Sequence, residues 1–303
     1  MTVQNVELLH GLKLGSNFFS QLENADPTFN DEQFPVTASG DTHPRFISLN
    51  GSKEEVPFAT HQIGTLLAQL GLFGAGGTGA YVLFRKVANK STRVGAATAE
   101  HTKFTMASWF SYLMSLSAGH RQQAVARGRV IALYDGTNSP FVRSSVAISS
   151  DTPSTAESFV LGPIAHNGTK IGGCDNFSMD LAPNMIELAD ESDQGTTFCA
   201  INTISPVITF TTTALAAELL RGTGVTTSFK INLLRRKPDG YLYGPLETQH
   251  IVINVARGMF FVNGLSGNPT QKQVSLLCRG TDAGGYTDVP LTMTVNSAVD
   301  TAA

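Results

Sequence analysis

The sequence predicts a mainly β chain with minor α content, built as two tandem, similar β-sandwich or barrel domains, each with one packed amphipathic helix. Three observations predict this. Short segments recur in the same order in both halves, most periodic segments are β-branched or aromatic, and in each half one helical pattern runs through glycine into a strand.

The recurrences are collinear. "GLKLG" at 11–15 returns as "GTKIG" at 168–172, and Pro27 returns as Pro183. "PFATHQIGTLL" returns as "TFTTTALAAEL", pairing Phe58 with Phe210, Thr60 with Thr212, Ile63 with Leu215 and Leu67 with Leu219. "FRK" ending at Lys86 returns as "RRK" ending at Lys237, "EHTKFTMA" as "QHIVINVA" with His101 against His250, and "VIALYDGT" as "VSLLCRGT" with Gly136 against Gly280. The offset falls from 157 to 144, as small loop deletions in a second copy produce. A tandem duplication is therefore expected, with domains over 1–155 and 156–303. The stretch "SSDTPSTAES" at 149–158, rich in Ser, Thr, Pro and Asp, is the linker between them.

Each predicted copy opens with a strand (5–14 and 163–172). A long irregular excursion follows (16–56 and 173–204), with short extended pieces such as "RFISL" and "TFCAINT". Helices are predicted at 60–70 and 212–221, because Ile63, Leu66, Leu67 and Leu70 share one helical face and Thr60 can cap it. Strands are predicted at 80–88, 100–107, 128–135 and 141–149, matched by 227–236, 248–256, 272–279 and 288–296. "RRKPDGYLYG" and "YDGTNSP" read as hairpin turns.

"GLFGAGGTGAYVLFRK" contains G-x-G-x-x-G in Gly74, Gly76 and Gly79. A dinucleotide site needs a strand running into the glycines and a helix leaving them. Here a helix runs in and a strand leaves, so the glycines end a helix and no cofactor is expected. Residues 63–84 carry no charge and could span a bilayer by length, but Gln69 and the glycines make a poor spanning helix. The second-half counterpart contains Arg221. No membrane association is expected.

The 303 residues are 42% hydrophobic, enough for a sizeable core, yet only 15% charged. Roughly 25% is usual, so much of the surface is expected to be covered in an assembly. A net charge of −3 without a basic block argues against a phosphate-gripping nucleic-acid binder. Cys174, Cys199 and Cys278 are too scattered for a disulfide framework or a zinc site, and the N-terminus lacks a signal-peptide layout.

No catalytic constellation is evident. His101 and His250 occupy equivalent strand positions, which points to a repeated structural role, and "GLSGN" does not place Ser266 on a nucleophile elbow. Glu187, Asp190, Glu191 and Asp193 in "IELADESDQG" lack the calcium-loop spacing and read as a solvated loop or a channel lining. Arg85, Lys86, Arg235, Arg236 and Lys237 recur at strand ends before turns. They read as solvated hairpin tips or as contacts between stacked subunits.

The sandwich-plus-helix unit, the long early excursion, the low charge, the tandem duplication and the phrase "SPVITFTTTALAAELL" together resemble tail tube proteins of long-tailed (siphophage-like) bacteriophages. The resemblance implies a virion structural protein, made in the host bacterial cytoplasm. Three duplicated chains would form a pseudo-sixfold ring, and stacked rings would form a conduit for DNA ejection. It implies as partners other copies of the chain, tape-measure, terminator and distal tail proteins, and DNA passing without sequence contact, and it implies no enzyme, metal or cofactor. A double jelly-roll capsid protein is the alternative, and a β-sandwich glycan-binding protein or hydrolase a further one.

Overall fold

The structure, a computed structural model, describes residues 6–36, 46–88, 92–93, 95–137, 139–148, 156–189, 195–213, 220–225, 228–266, 271–280 and 289–299. The first half forms β1 (Val6–Leu14), β2 (Asn17–Phe19), β3 (Leu22–Ala25), β4 (Thr28–Val36), β5 (Phe46–Thr60), α1 (Ile63–Leu70), β6 (Ala75–Ala88), β7 (Thr92–Arg93), β8 (His101–Gly119), β9 (Val125–Leu133) and β10 (Phe141–Val146). The second forms β11 (Phe159–His166), β12 (Thr169–Ile171), β13 (Cys174–Asp180), β14 (Asn184–Leu188), β15 (Phe198–Thr203), β16 (Val207–Thr212), β17 (Gly224–Val225), β18 (Phe229–Arg235), β19 (His250–Val255), β20 (Gly258–Ser266), β21 (Gln271–Cys278) and β22 (Leu291–Ser297). The chain is mainly β with minor α, as its composition of periodic segments predicts.

All pairings are antiparallel. An outer sheet β2-β1-β6-β8-β10 in the first half has its like in β12-β11-β18-β19-β22 in the second. An inner run of eight strands, β3-β5-β9-β8-β13-β16-β21-β20, takes four strands from each half and joins them where β8 pairs with β13. The 19-residue β8 serves both layers: its start lies between β6 and β10 and its end between β9 and β13. One apolar cluster fills the space between layers and crosses the two halves, including Leu12, Val82, Met106, Phe58, Leu113, Phe177, Phe210, Ile231 and Ile253. Period-2 alternation explains the inner strands: Phe177 and Met179 face this core while Asn176, Ser178 and Asp180 face away.

Local details repeat between the halves. Leu14-Gly15-Ser16-Asn17 and His166-Asn167-Gly168-Thr169 close two-residue hairpins with positive φ at Gly15, Asn167 and Gly168. Register shifts fall between Leu22 and Asn24 in β3 and between Cys174 and Asn176 in β13. They fall between Leu113 and Ser115 in β8 and between Val262 and Gly264 in β20. Phe58 and Phe210 take the same place in the inner run, as the sequence alignment has them. His101 and His250 also keep matching places, but other segments shift: Leu12, opposite Phe19 and Val82, has its like in Ile164, opposite Ile171 and Ile231, so "GLKLG" matches 163–167 and not 168–172.

Several sequence expectations need correction. The excursion at 16–56 is largely strand, because β4 and β5 pair over nine positions although neither shows clean alternation. "YDGTNSP" is not a hairpin: β9 and β10 both pair with β8, along different lengths of it, and not with each other. The strand expected at 100–107 runs on to Gly119, and β20 is a strand beyond those expected. In β8 both faces are buried, which hides the period. Thr60 ends β5 and does not cap α1. The helix, whose N-cap position is Gln62, is capped from afar by Glu157. The second expected helix lies mostly outside the described residues, and Thr212 is the last residue of β16. The helix-to-strand order is as expected, but Gly71 ends the helix, and of the motif glycines Gly74 precedes β6 while Gly76 and Gly79 lie within it.

Candidate assembly surfaces

The face of the inner run turned away from the core is lined by rows of small polar side chains. Strand register sets Ser117 opposite Ser178, Ser178 opposite Thr209 and Thr209 opposite Ser275, with the last two hydroxyls 3.3 Å apart. A parallel row runs Asn176, Thr211, Gln273. The charges nearby are mixed: Arg129 is paired with Glu55 at 3.1 Å, and Arg127 and Asp180 are exposed. Such a surface offers hydroxyl and amide groups to water. Among the described residues it offers no cation array that would retain a polyanion through counterion release.

Several of the basic residues expected at subunit contacts engage groups within the chain. Lys86 pairs with Glu100 at 3.0 Å, Arg235 donates to Gln249 and Arg236 to the Gly240 carbonyl, and Lys237 lies 5.2 Å from the Tyr243 ring. Arg85 lies beside Lys86 in β6, opposite Leu8. Lys86 corresponds in place to Arg235, so the "FRK" and "RRK" segments are two residues out of step. Of the acidic cluster, Glu187 lies on β14 and binds Lys53 of β5 at 2.5 Å. Asp190, Glu191 and Asp193 lie outside the described residues.

His101 and His250, both fully buried, perform one job twice. Each Nδ1 accepts a backbone N–H, from Lys86 and Arg235 respectively, at 3.1 Å. The Nε2–H then donates to the carbonyl of Gly95 (3.1 Å) or Gly244 (2.8 Å), which fixes the neutral tautomer. Matching turns follow those carbonyls: Thr98 N–H binds Gly95 and Glu247 N–H binds Gly244.

The described residues present little chemistry. No group of three or more His, Cys, Asp or Glu among them could hold a metal ion. Burial pushes the thiols of Cys199 and Cys278 up to about 12 and that of Cys174 to about 11, so none is a ready nucleophile. A cavity of about 790 Å³ beside β11 is lined by apolar residues such as Val160, Ile164 and Leu234, with Arg121, Lys170 and Asp175 among them. His120 and Arg236 also line it. No helix among the described residues is long and apolar enough to cross a membrane.

No family model matches the chain, and no curated protein matches it.

Two surfaces escaped the sequence. The β14–β15 hairpin lays Met185, Cys199 and Ile201 over Phe110, Tyr112 and Ile131 of β8 and β9, closing a small second core. The matching face of β20 and β21, with Met259, Phe261 and Leu277, is open. Periodicity locates such residues on a strand but cannot say which face another hairpin covers.

Proposed function

We propose that this chain is a ring-forming tube subunit of the phage-tail kind, a tandem duplication with copies over 1–155 and 156–303. Three chains would give a pseudo-sixfold ring, and stacked rings would conduct DNA out of a virion. The observation that carries the reading is the eight-strand inner run, four strands from each half, apolar on its core face and carrying rows of Ser, Thr, Asn and Gln across the middle of the other.

Size supports three chains over two. With strands about 4.8 Å apart, twenty-four upright strands enclose a barrel roughly 37 Å across the backbone, and tilt widens it. Subtracting about 5 Å of side chain on each side leaves roughly 27 Å or more, wider than a DNA duplex. Sixteen strands would leave about 15 Å upright and roughly 20–25 Å at the usual tilt, close to the width of a duplex, so the larger ring is the one with clearance. The polar, near-neutral face would line this pore and let DNA slide. The outer sheets and α1 would lie outside it, and function would reside in surfaces with no catalytic residue.

Ring stacking falls to the β4–β5 and β14–β15 hairpins, which lie within the two excursions predicted to mediate it. Tape-measure, terminator and distal tail proteins would meet the end rings. Deleting residues 30–50 should leave a folded protein, judged by circular dichroism and the buried Trp109 emission, that no longer polymerises. Tubes of normal length from that variant would refute the assignment of the excursion to stacking.

A further inference from the structure

Within one chain the two halves already make a contact that leaves an unused copy of each partner at the ends. The trailing part of β8 pairs with β13, setting Ser115 opposite Asp180, Ser117 opposite Ser178 and Gly119 opposite Asn176. Just beyond the β8 bulge, the Met114 carbonyl accepts the Leu181 N–H. The strand in the place of β8 in the second half is β20, which carries the same bulge. The strand in the place of β13 in the first half is β3, which also shares its bulge. Among the described residues β3 pairs only with β5, and β20 beyond Phe260 pairs only with β21, so both present an open edge.

A second, independent difference points the same way. Phe110, Tyr112 and Ile131 are 9%, 4% and 0% exposed because the β14–β15 hairpin covers them. Their counterparts by register, Met259, Phe261 and Leu277, are 47%, 39% and 46% exposed. The hairpin that follows β3 as β14–β15 follows β13 is β4–β5, and it would come from another molecule.

We infer that the β20 edge of one chain pairs antiparallel with the segment of a second copy that leads from β3 into β4, Ser266 opposite Asp26, Leu265 opposite Pro27, which leaves one ladder N–H missing, and Gly264 opposite Thr28, while the second copy's β4–β5 hairpin covers Met259, Phe261 and Leu277. The contact is heterologous and head-to-tail, so it generates a ring if its rotation closes and a filament if it does not. It deepens the ring reading proposed above, on which it rests only for the number of copies.

Directly opposed residues in an antiparallel pair have Cα atoms about 4.5 or 5.5 Å apart, within the roughly 4.4–6.8 Å that a disulfide spans. A two-residue slip displaces them by a further ~7 Å along the strand, beyond reach. The test mixes full-length Asp26→Cys protein with tagged Ser266→Cys protein under mild oxidation, with Thr28→Cys plus Ser266→Cys as the register control. The native thiols, held protonated by burial, contribute little background. Expected is a heterodimer from the first mixture, at least tenfold more than from the control. Adding Met259→Lys and Phe261→Lys to the Ser266→Cys protein should cut that yield at least tenfold with circular dichroism unchanged. Electron microscopy of the same samples separates the two claims. Rings without the disulfide would overturn the register and keep the ring, whereas the disulfide with filaments or shells lacking a pore would uphold the contact and overturn the tube. Monomers without the disulfide would overturn both.

Discussion

Glu157 caps a helix that lies some ninety residues before it, and replacing it should loosen the joint between the halves. Its carboxylate, 7% exposed, accepts the Gly64 N–H at 2.6 Å, the Thr65 N–H at 3.1 Å and the Thr65 hydroxyl at 2.8 Å. It sits at the positive end of α1, whose apolar face enters the shared core and which packs against β8 and β22. Glu157→Ala removes a cap worth about 1 kcal/mol and strands buried donors at about 1–3 kcal/mol each, less what water recovers, so about 3 kcal/mol is expected. Glu157→Gln keeps an acceptor but loses the charge, for about 1 kcal/mol. Gly64→Ala should also weaken the cap, since a Cβ there meets both carboxylate oxygens at 3.1 Å. Urea titrations followed by the emission of Trp109, the only tryptophan and 3% exposed, give these values directly. A Glu157→Ala protein within about 0.5 kcal/mol of wild type, below the usual cost of losing a cap, would refute the reasoning. So would Gln proving as costly as Ala.

His101→Ala and His250→Ala should each cost about 2–4 kcal/mol, through two lost buried hydrogen bonds and a cavity, and should agree within about 1 kcal/mol. Unequal costs in chemical denaturation would show that the two rings do different work. His166 packs 5.1 Å from the Phe260 ring, and burial lowers its pKa below 6.5. The unfolded chain therefore takes up the proton first as pH falls, so this contribution to stability is intact above the unfolded pKa and declines below it. His166→Phe should shrink the loss in urea midpoint between pH 7 and pH 5, and an unchanged slope would contradict the assignment. Ser178→Lys with Thr209→Lys should let assemblies form that retain DNA at low salt and release it at high salt. Equal retention by wild type would count against a polar lumen.

The sequence made the fold class and the helix-glycine-strand order legible, because α1 keeps a clean apolar stripe and β13, β16 and β21 alternate faithfully. It also paired Phe58 with Phe210 and His101 with His250, positions where a core ring and a buried hydrogen-bonding ring leave little freedom. Where it slipped, the physics is visible. β8 is buried on both faces, so Trp109, Phe110, Tyr112 and Leu113 show no period 2. β4 and β5 show no clean alternation of apolar and polar residues along the sequence. The cap of α1 comes from a residue distant in sequence, which no local pattern can announce. The acidic and basic residues singled out for assembly stand out by charge, yet Glu187 and Lys86 form ion pairs within their own chain. The surfaces that do distinguish the two halves are apolar and become legible only when one half is laid on the other.

The most direct test of the conduit is mass photometry of the purified chain together with negative-stain electron microscopy. The account predicts a species of three chains that appears end-on as a six-lobed ring with an open centre, and tubes of stacked rings as concentration rises. A stable monomer at high concentration, or a closed shell with no through-going pore, would contradict it.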